Sequence, residues 1–560
     1  MPSGQAEVRL SGTKRVQRNT VCELEFASRR DCQDPWAEIE LDFEFTDPDG
    51  ARRVVPAYWS GGRTWRVRYS SPTEGSHNYR AIVRGPAGTG LDEFVGEVDV
   101  IGYDGTNPLY LHGPVTVADD GRHLAHADGT PFLWLGDTWW AGMTARFRWE
   151  TTFKTLADDR AAKGFSVVQV VAGLVPEFEP FSPSMASEGG QPWLDGGVGG
   201  INPAFYAVPD LKIEYLVSKG IVPCIVGGWA YYAGLLGRER VLQHWRYLVA
   251  RYAAYPVVWC IAGEVDLPAQ HGGSAADYSG HPAGQVAIWE EASELVRQID
   301  PYKRVRTVHP CPMFTYSSSE AMSSRDSFEL DMLQTGHTGR NCVPATMEHL
   351  KASLAYADKP VLNGECSYEG IFDSCWQDLQ RFLFWSHMLS GTAGHTYGTM
   401  AIGVLNSRDD PHMPLSRVSM HYWEDAIDWL GAVHVGVGKR ILESLSWWTL
   451  RPAQEAVSPK AGPDDWFLPF AATTSDATMV VYLPGVAMMS TDAWARLDRL
   501  ALDGLTPGRS YNATYINPRT GADDSSFAFT PVEACHVIES PGHWITPTGE
   551  DWVLVIRPVG

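Results

Sequence analysis

The chain has 560 residues, too many for one hydrophobic core, so about two to four domains are expected. It is 44% hydrophobic and 20% charged. A formal charge of −22 argues against nucleic acid or an anionic membrane surface as partner, because neutralising phosphates needs an excess of Lys and Arg. No apolar leader-like segment opens the chain and no run of roughly eighteen apolar residues occurs in it, so a cytoplasmic protein without a membrane span is predicted.

Residues 1–103 read as an all-β region, a small sandwich. Residues 41–45 (LDFEF) alternate apolar and acidic side chains, a DPDG turn follows at 47–50, and residues 65–69 (WRVRY) alternate again. From residue 104 the rhythm changes to apolar strand-like runs separated by helical patterns, and this continues to about 445. The strands are expected at 131–137, 165–171, 221–226, 257–264, 304–309, 328–334, 360–365 and 394–398, with helices at 150–163, 203–219 and 238–254 among the connections. Near-continuous apolar strands imply burial on both faces, and eight such units fit a (β/α)₈ barrel better than a doubly wound sheet. No GxGxxG or Walker pattern follows any strand, which weakens a nucleotide-binding reading. Residues 446–560 return to β, with strands at 478–483, 511–515 and 552–556 forming a second small sandwich. The fold class is therefore α/β, a barrel flanked by two β-domains. The nine cysteines show no CxxC spacing, and Cys224 and Cys260, inside apolar runs, read as buried thiols.

In such a barrel the active site lies at the C-terminal ends of the strands. Those ends carry Asp137 with Trp139, Gln169, Trp229, Glu264, His309, Gln334 with His337, Glu365, and His395 with Tyr397. Glu264 and Glu365 each follow a glycine at the end of an apolar strand, the fourth and the seventh, which face one another across the barrel mouth. Two carboxyl groups about 5–5.5 Å apart are what retaining glycoside hydrolysis requires. Glu365 is expected to be the ionised nucleophile, held by neighbours such as Tyr397 or His337. Glu264, on an apolar wall near Trp229 and Trp259, is expected to be the protonated acid/base. Asp266 competes for the acid role, and Glu369 is left to the loop or to substrate binding. The remaining strand-end residues are assigned to sugar binding, Asp137 with helix capping as the rival role. The 22 Trp and 22 Tyr would suit stacking on sugar faces. His309, His337 and His395 lack metal-ligand spacing, so no metal and no cofactor are expected. The loop at 176–200 is expected either to wall the pocket or to form a surface excursion.

Four segments, PFLWLGDTWW at 131–140, DRAAKGFSVVQ at 159–169, NGECSYEG at 363–370 and GHTYG at 394–398, resemble signatures of the apiosidase-like glycoside hydrolases. The N-terminal region resembles the immunoglobulin-like domain that precedes those barrels. The C-terminal region, with NPRTG at 517–521, resembles their collagen-binding-type β-domain, a label that does not by itself carry function. The resemblance implies Glu365 as nucleophile and the carboxylate at Glu264 as acid/base, and it implies a terminal furanoside or another pentoside as substrate. Here the chain departs from the family, which has Asp where Glu264 stands. Two alternatives stay open: a same-clan hydrolase of another sugar, β-galactosidase-like or glucanase-like, and a carbohydrate-binding protein without catalysis. The partner in each case is an oligosaccharide or small glycoside, and self-association is left open.

Overall fold

The computed structural model describes residues 8–9, 13–269, 283–356, 358–411, 421–489, 499–539 and 545–559. The N-terminal region packs a six-stranded sheet against a three-stranded one formed by residues 22–27, 58–61 and 64–69. In the strand Glu40–Thr46 the apolar set, Leu41, Phe43 and Phe45, is buried between the sheets as the alternation predicts. Its partner Asp42 is buried too, because this face of the strand lies against the barrel: Arg246 of a barrel helix donates to Asp42 at 3.0 Å. A second contact joins the same two regions. Arg68 donates to the Arg251 carbonyl at 2.9 Å, and Arg251 donates to Asp210 at 2.8 Å.

A three-stranded antiparallel sheet at residues 115–132 leads into the barrel. The barrel strands are β1 (Trp134–Trp139), β2 (Val167–Val171), β3 (Val222–Val226), β4 (Val258–Cys260), β5 (Arg306–Thr307), β6 (Asp331–Gln334), β7 (Val361–Glu365) and β8 (Gly394–Thr396). They form one eight-stranded sheet in the order β5-β4-β3-β2-β1-β8-β7-β6, parallel at every pairing. Backbone contacts close the ring between its ends: Glu329 and Leu330 donate to the Arg306 carbonyl at 2.9 and 3.2 Å. Around it stand α1 (Lys154–Lys163), α2 (Ala207–Ser218), α3 (Arg238–Tyr252), α4 (Ala283–Ile299), α5 (Val343–Leu354), α6 (Gln377–Leu389) and α7 (Leu430–Glu443). α1 ends where Gly164 turns left-handed at φ +90°, as a glycine after a helix should. Among the described residues no helix is long and apolar enough to cross a membrane.

β4 is shorter than the sequence predicts. Its regular ladder stops at Cys260; beyond it Gly263 bridges to Trp229, and bonds to the β5 side continue, His309 N donating to the Ala262 carbonyl at 3.1 Å and Val265 N to the His309 carbonyl at 2.8 Å. At the far end of this stretch Glu264 takes a φ of +44°, outside the extended region.

The C-terminal region has its own apolar core between a six-stranded and a three-stranded sheet, and contains the predicted strands within Met479–Leu483, Tyr511–Ile516 and Trp552–Pro558. It docks on α6 through Asp551, which accepts from Arg381 at 2.7 Å and from Arg519 at 2.8 Å.

Candidate active site

At the C-terminal mouth of the barrel lies a cavity of about 540 Å³, and Glu264, Glu365, Trp229, Gln334 and His337 all line it. Glu365 ends β7 and is 4% exposed. His337 Nε2 donates to its Oε1 at 2.7 Å, and His309 Nε2 lies 3.0 Å from Oε2, off the line of a well-aligned hydrogen bond. Burial alone would push this carboxyl up. The two histidines outweigh burial and hold it well below the usual carboxylate range. Tyr397, expected to help, instead donates to Glu369 at 2.7 Å.

Glu264 is equally buried, at 4% exposure. Its Oε2 accepts from the Trp229 indole at 3.0 Å, and its Oε1 from the Gln334 amide at 3.2 Å. Trp259, expected beside it, donates to Asp300 at 2.9 Å instead. The glycines before the two acids make room for neighbouring side chains rather than for substrate. A Cβ on Gly263 would come within 2.3 Å of the Trp229 ring, and one on Gly364 within 2.4 Å of the Met332 sulfur. Asp266, the rival acid, does not line the cavity. It accepts from the Cys311 backbone at 2.9 Å and the Thr315 hydroxyl at 2.6 Å, and so pins the turn that follows β5.

Several residues assigned to sugar binding lie away from the cavity lining, which corrects that expectation. Asp137 and Trp139 sit two apart on β1 and share its outer face. Asp137 accepts from Trp139 at 2.8 Å and from Arg160 of α1 at 2.7 Å, in full burial. This is neither a sugar clamp nor a helix cap. Tyr397 is committed to Glu369, whose other oxygen accepts from Gly431 N at 3.0 Å. His395 points to α6, with its Nδ1 3.0 Å from that of His387. Gln169 faces into the barrel but below the floor, donating to the Gly364 carbonyl at 2.8 Å. His309 is also below the floor, beside Glu365 and packed under the lining rings of Trp140 and Trp229 at 5.6 and 6.0 Å.

The lining includes residues that strand-end reasoning misses. Trp140, one position beyond Trp139, donates to the Tyr368 hydroxyl at 3.0 Å, and its ring meets Trp229 edge-on at 5.2 Å. Tyr368 packs on His337 at 4.5 Å. Tyr368 was within reach of sequence reasoning, three residues after Glu365 in the same motif. Met313 and Phe372 sit on loops, where no periodicity marks them. Of the loop at 176–200, Pro176 and Glu177 contribute to the wall.

An eight-stranded parallel barrel with two buried carboxyls in an aromatic cavity at its C-terminal mouth has the form of a glycoside-hydrolase barrel. Residues 118–449 match the apiosidase-like catalytic domain, and the chain belongs to that family of glycoside-hydrolase-like enzymes. Residues 15–84 match a domain of unknown function, DUF5060. No curated protein sequence matches the chain. Among similar solved structures, one named simply a glycoside hydrolase is 20% identical, with a TM-score of 0.65 over 81% of this chain and 98% of its own. A glycoside hydrolase family 5 protein from Bacteroides vulgatus is also 20% identical, with a TM-score of 0.64 over 81% of this chain and 95% of its own. A Bacteroides vulgatus protein described as a candidate glycoside hydrolase is 17% identical, with a TM-score of 0.68 over 98% of this chain and all of its own. At such identities the likeness is one of fold.

Proposed function

We propose that the chain is a retaining glycoside hydrolase that releases a terminal sugar, a furanoside or another pentoside, by double displacement. The observation that carries this reading is Glu365, a buried carboxyl held ionised by two histidines in the same cavity as Glu264. In the first step Glu365 attacks the anomeric carbon, and the bond to the leaving oxygen breaks as Glu264 gives that oxygen its proton. In the second, Glu264 takes a proton from water, whose oxygen displaces Glu365 and restores the carboxylate. Gln334 suits both states of Glu264: its amide nitrogen donates to the carboxylate, and its carbonyl oxygen, turned end for end, accepts from the acid. The family supports a pentose in the donor position, and the small cavity supports attack at a chain end.

The test is a panel of aryl furanosides and pentopyranosides. Glu365→Ala is expected to lose turnover by about 10⁴-fold or more, and added azide should restore release by forming a glycosyl azide of inverted configuration. The native enzyme should give a first product of retained configuration, followed by NMR. Full activity in Glu365→Ala, or an inverted first product, overturns the assignment.

A further inference from the structure

The cavity changes character from floor to mouth. Its acid and amide groups, Glu264, Gln334 and Glu365, are buried at the bottom. Toward solvent the lining turns apolar on two sides: Pro312 and Met313 on the loop after β5, and Phe372, above the buried Ile371, on the loop after β7. Met313 is 54% exposed and Phe372 50%, so two large apolar side chains stand in water at the entrance of the cavity. Between them the loop after β6 contributes a polar edge, Thr338 and Asn341.

Neither apolar side chain is on a loose segment. The Met313 turn is fastened to Asp266 at both ends, through Cys311 and Thr315. The Phe372 turn is closed by Gly370 N donating to the Cys375 carbonyl at 2.6 Å and by Asp373 N donating to the Gly370 carbonyl at 3.1 Å. Within that turn Phe372 and Asp373 both take left-handed backbone, at φ +50° and +54°. A bulky residue held in that region costs on the order of 1–3 kcal/mol, and such strain concentrates where a ligand is clamped. Here the strained backbone presents an aromatic ring to solvent at the mouth of a catalytic cavity.

We propose that the outer half of this cavity is a leaving-group subsite for a flat aromatic alcohol, so that the substrates are glycosides of phenolic compounds. This rests on the hydrolase reading above and names its substrate class. A planar ring between Phe372 and Met313 would cover both exposed apolar surfaces, and its oxygen would point down to Glu264. Hydroxyl groups on the ring's edge would face Thr338 and Asn341. A sugar could lay a C–H face on Phe372 but would not cover Met313 on the other side as well, whereas a planar aromatic ring is apolar on both faces. The bond broken joins the anomeric carbon to the phenolic oxygen, which leaves with the proton from Glu264.

The probe is 2-naphthol alone, titrated into the full chain by calorimetry, a measurement that needs no turnover. The native protein is expected to bind it. Phe372→Ala and Met313→Ala should each weaken binding by about tenfold, with Phe372→Trp restoring it. Absence of binding, or equal affinity in Phe372→Ala, overturns the subsite whether or not the enzyme hydrolyses glycosides. A second arm compares a naphthyl glycoside with a disaccharide of the same donor sugar. Phe372→Ala should lower kcat/KM about tenfold for the first and by a clearly smaller factor for the second. Equal losses on both substrates overturn the proposal. Binding of naphthol with no hydrolysis of any glycoside overturns the catalytic reading, and with it the leaving-group role.

Discussion

The two sides of the barrel mouth use similar residues to opposite ends. On the side of β4, β6 and β7, polar side chains face a cavity, and their neighbours leave carboxyl groups accessible to a substrate. On the side of β1 and β8, carboxyls of the same kind are sealed. Asp137 is locked to Arg160, and Glu369, which leaves β7 on its loop and turns to β8, is capped by Tyr397 and Gly431 N. A polar residue at a strand end is therefore not by itself a site residue. What separates Asp137 from Glu365 is the face of the strand from which each projects, toward the helices or toward the lumen.

The sharpest way to break this comparison exchanges the roles. Glu365→Gln should reduce turnover by about 10⁴-fold or more while shifting the unfolding midpoint little. Arg160→Met should do the reverse, leaving Asp137 as an uncompensated buried charge at a cost of about 3–5 kcal/mol with kcat/KM in the folded fraction nearly kept. Paired denaturation and kinetic measurements check both. Activity lost on replacing Arg160, with stability unchanged, would place the sealed side in the reaction.

Next in size is a pH effect on stability from the sealed side. Burial, against hydrogen bonds from Tyr397 and Gly431, pushes the Glu369 carboxyl up to about 7. Below its ordinary value the group is neutral in both folded and unfolded chains. Between there and about 7 the unfolded chain releases a proton that the folded chain keeps, so stability should fall as pH rises. The loss should approach about 3 kcal/mol and level off above that window. Urea unfolding at pH 5 and pH 7.5 should show this fall in the native protein and a flatter response in Glu369→Gln.

The smallest effect belongs to the open side. His337→Leu removes a donor that keeps Glu365 ionised, so the Glu365 carboxyl should rise toward the ordinary carboxylate range and the acid limb of the kcat/KM profile should stand at higher pH than in the native protein. An unmoved limb would separate His337 from the nucleophile.

The barrel was legible because both faces of its strands are buried, which leaves long apolar runs such as residues 165–171. The two glutamates were legible because a carboxyl directly after such a run is conspicuous. The direction of each remaining side chain was not. At the end of β1 the sequence offers Asp137, Thr138, Trp139 and Trp140 with no mark of parity, and a shift of one position separates the buried Trp139 from Trp140 in the cavity wall. The end of β8 repeats the difficulty: His395 looks like a sugar-binding histidine until α6 is seen to bring His387 against it. The apolar mouth was invisible for another reason, since Met313 and Phe372 owe their positions to hydrogen-bonded turns rather than to any repeat.

The left-handed backbone at Glu264 bears on how this enzyme would respond to selection. Gly or Asn tolerates that conformation far better than Glu, and either would relieve on the order of 1 kcal/mol of strain. A library screened for heat tolerance alone should therefore drift toward small residues at position 264 and yield sturdier proteins that no longer turn over. Persistence of a glutamate there would record a history in which turnover, not endurance, decided which chains survived.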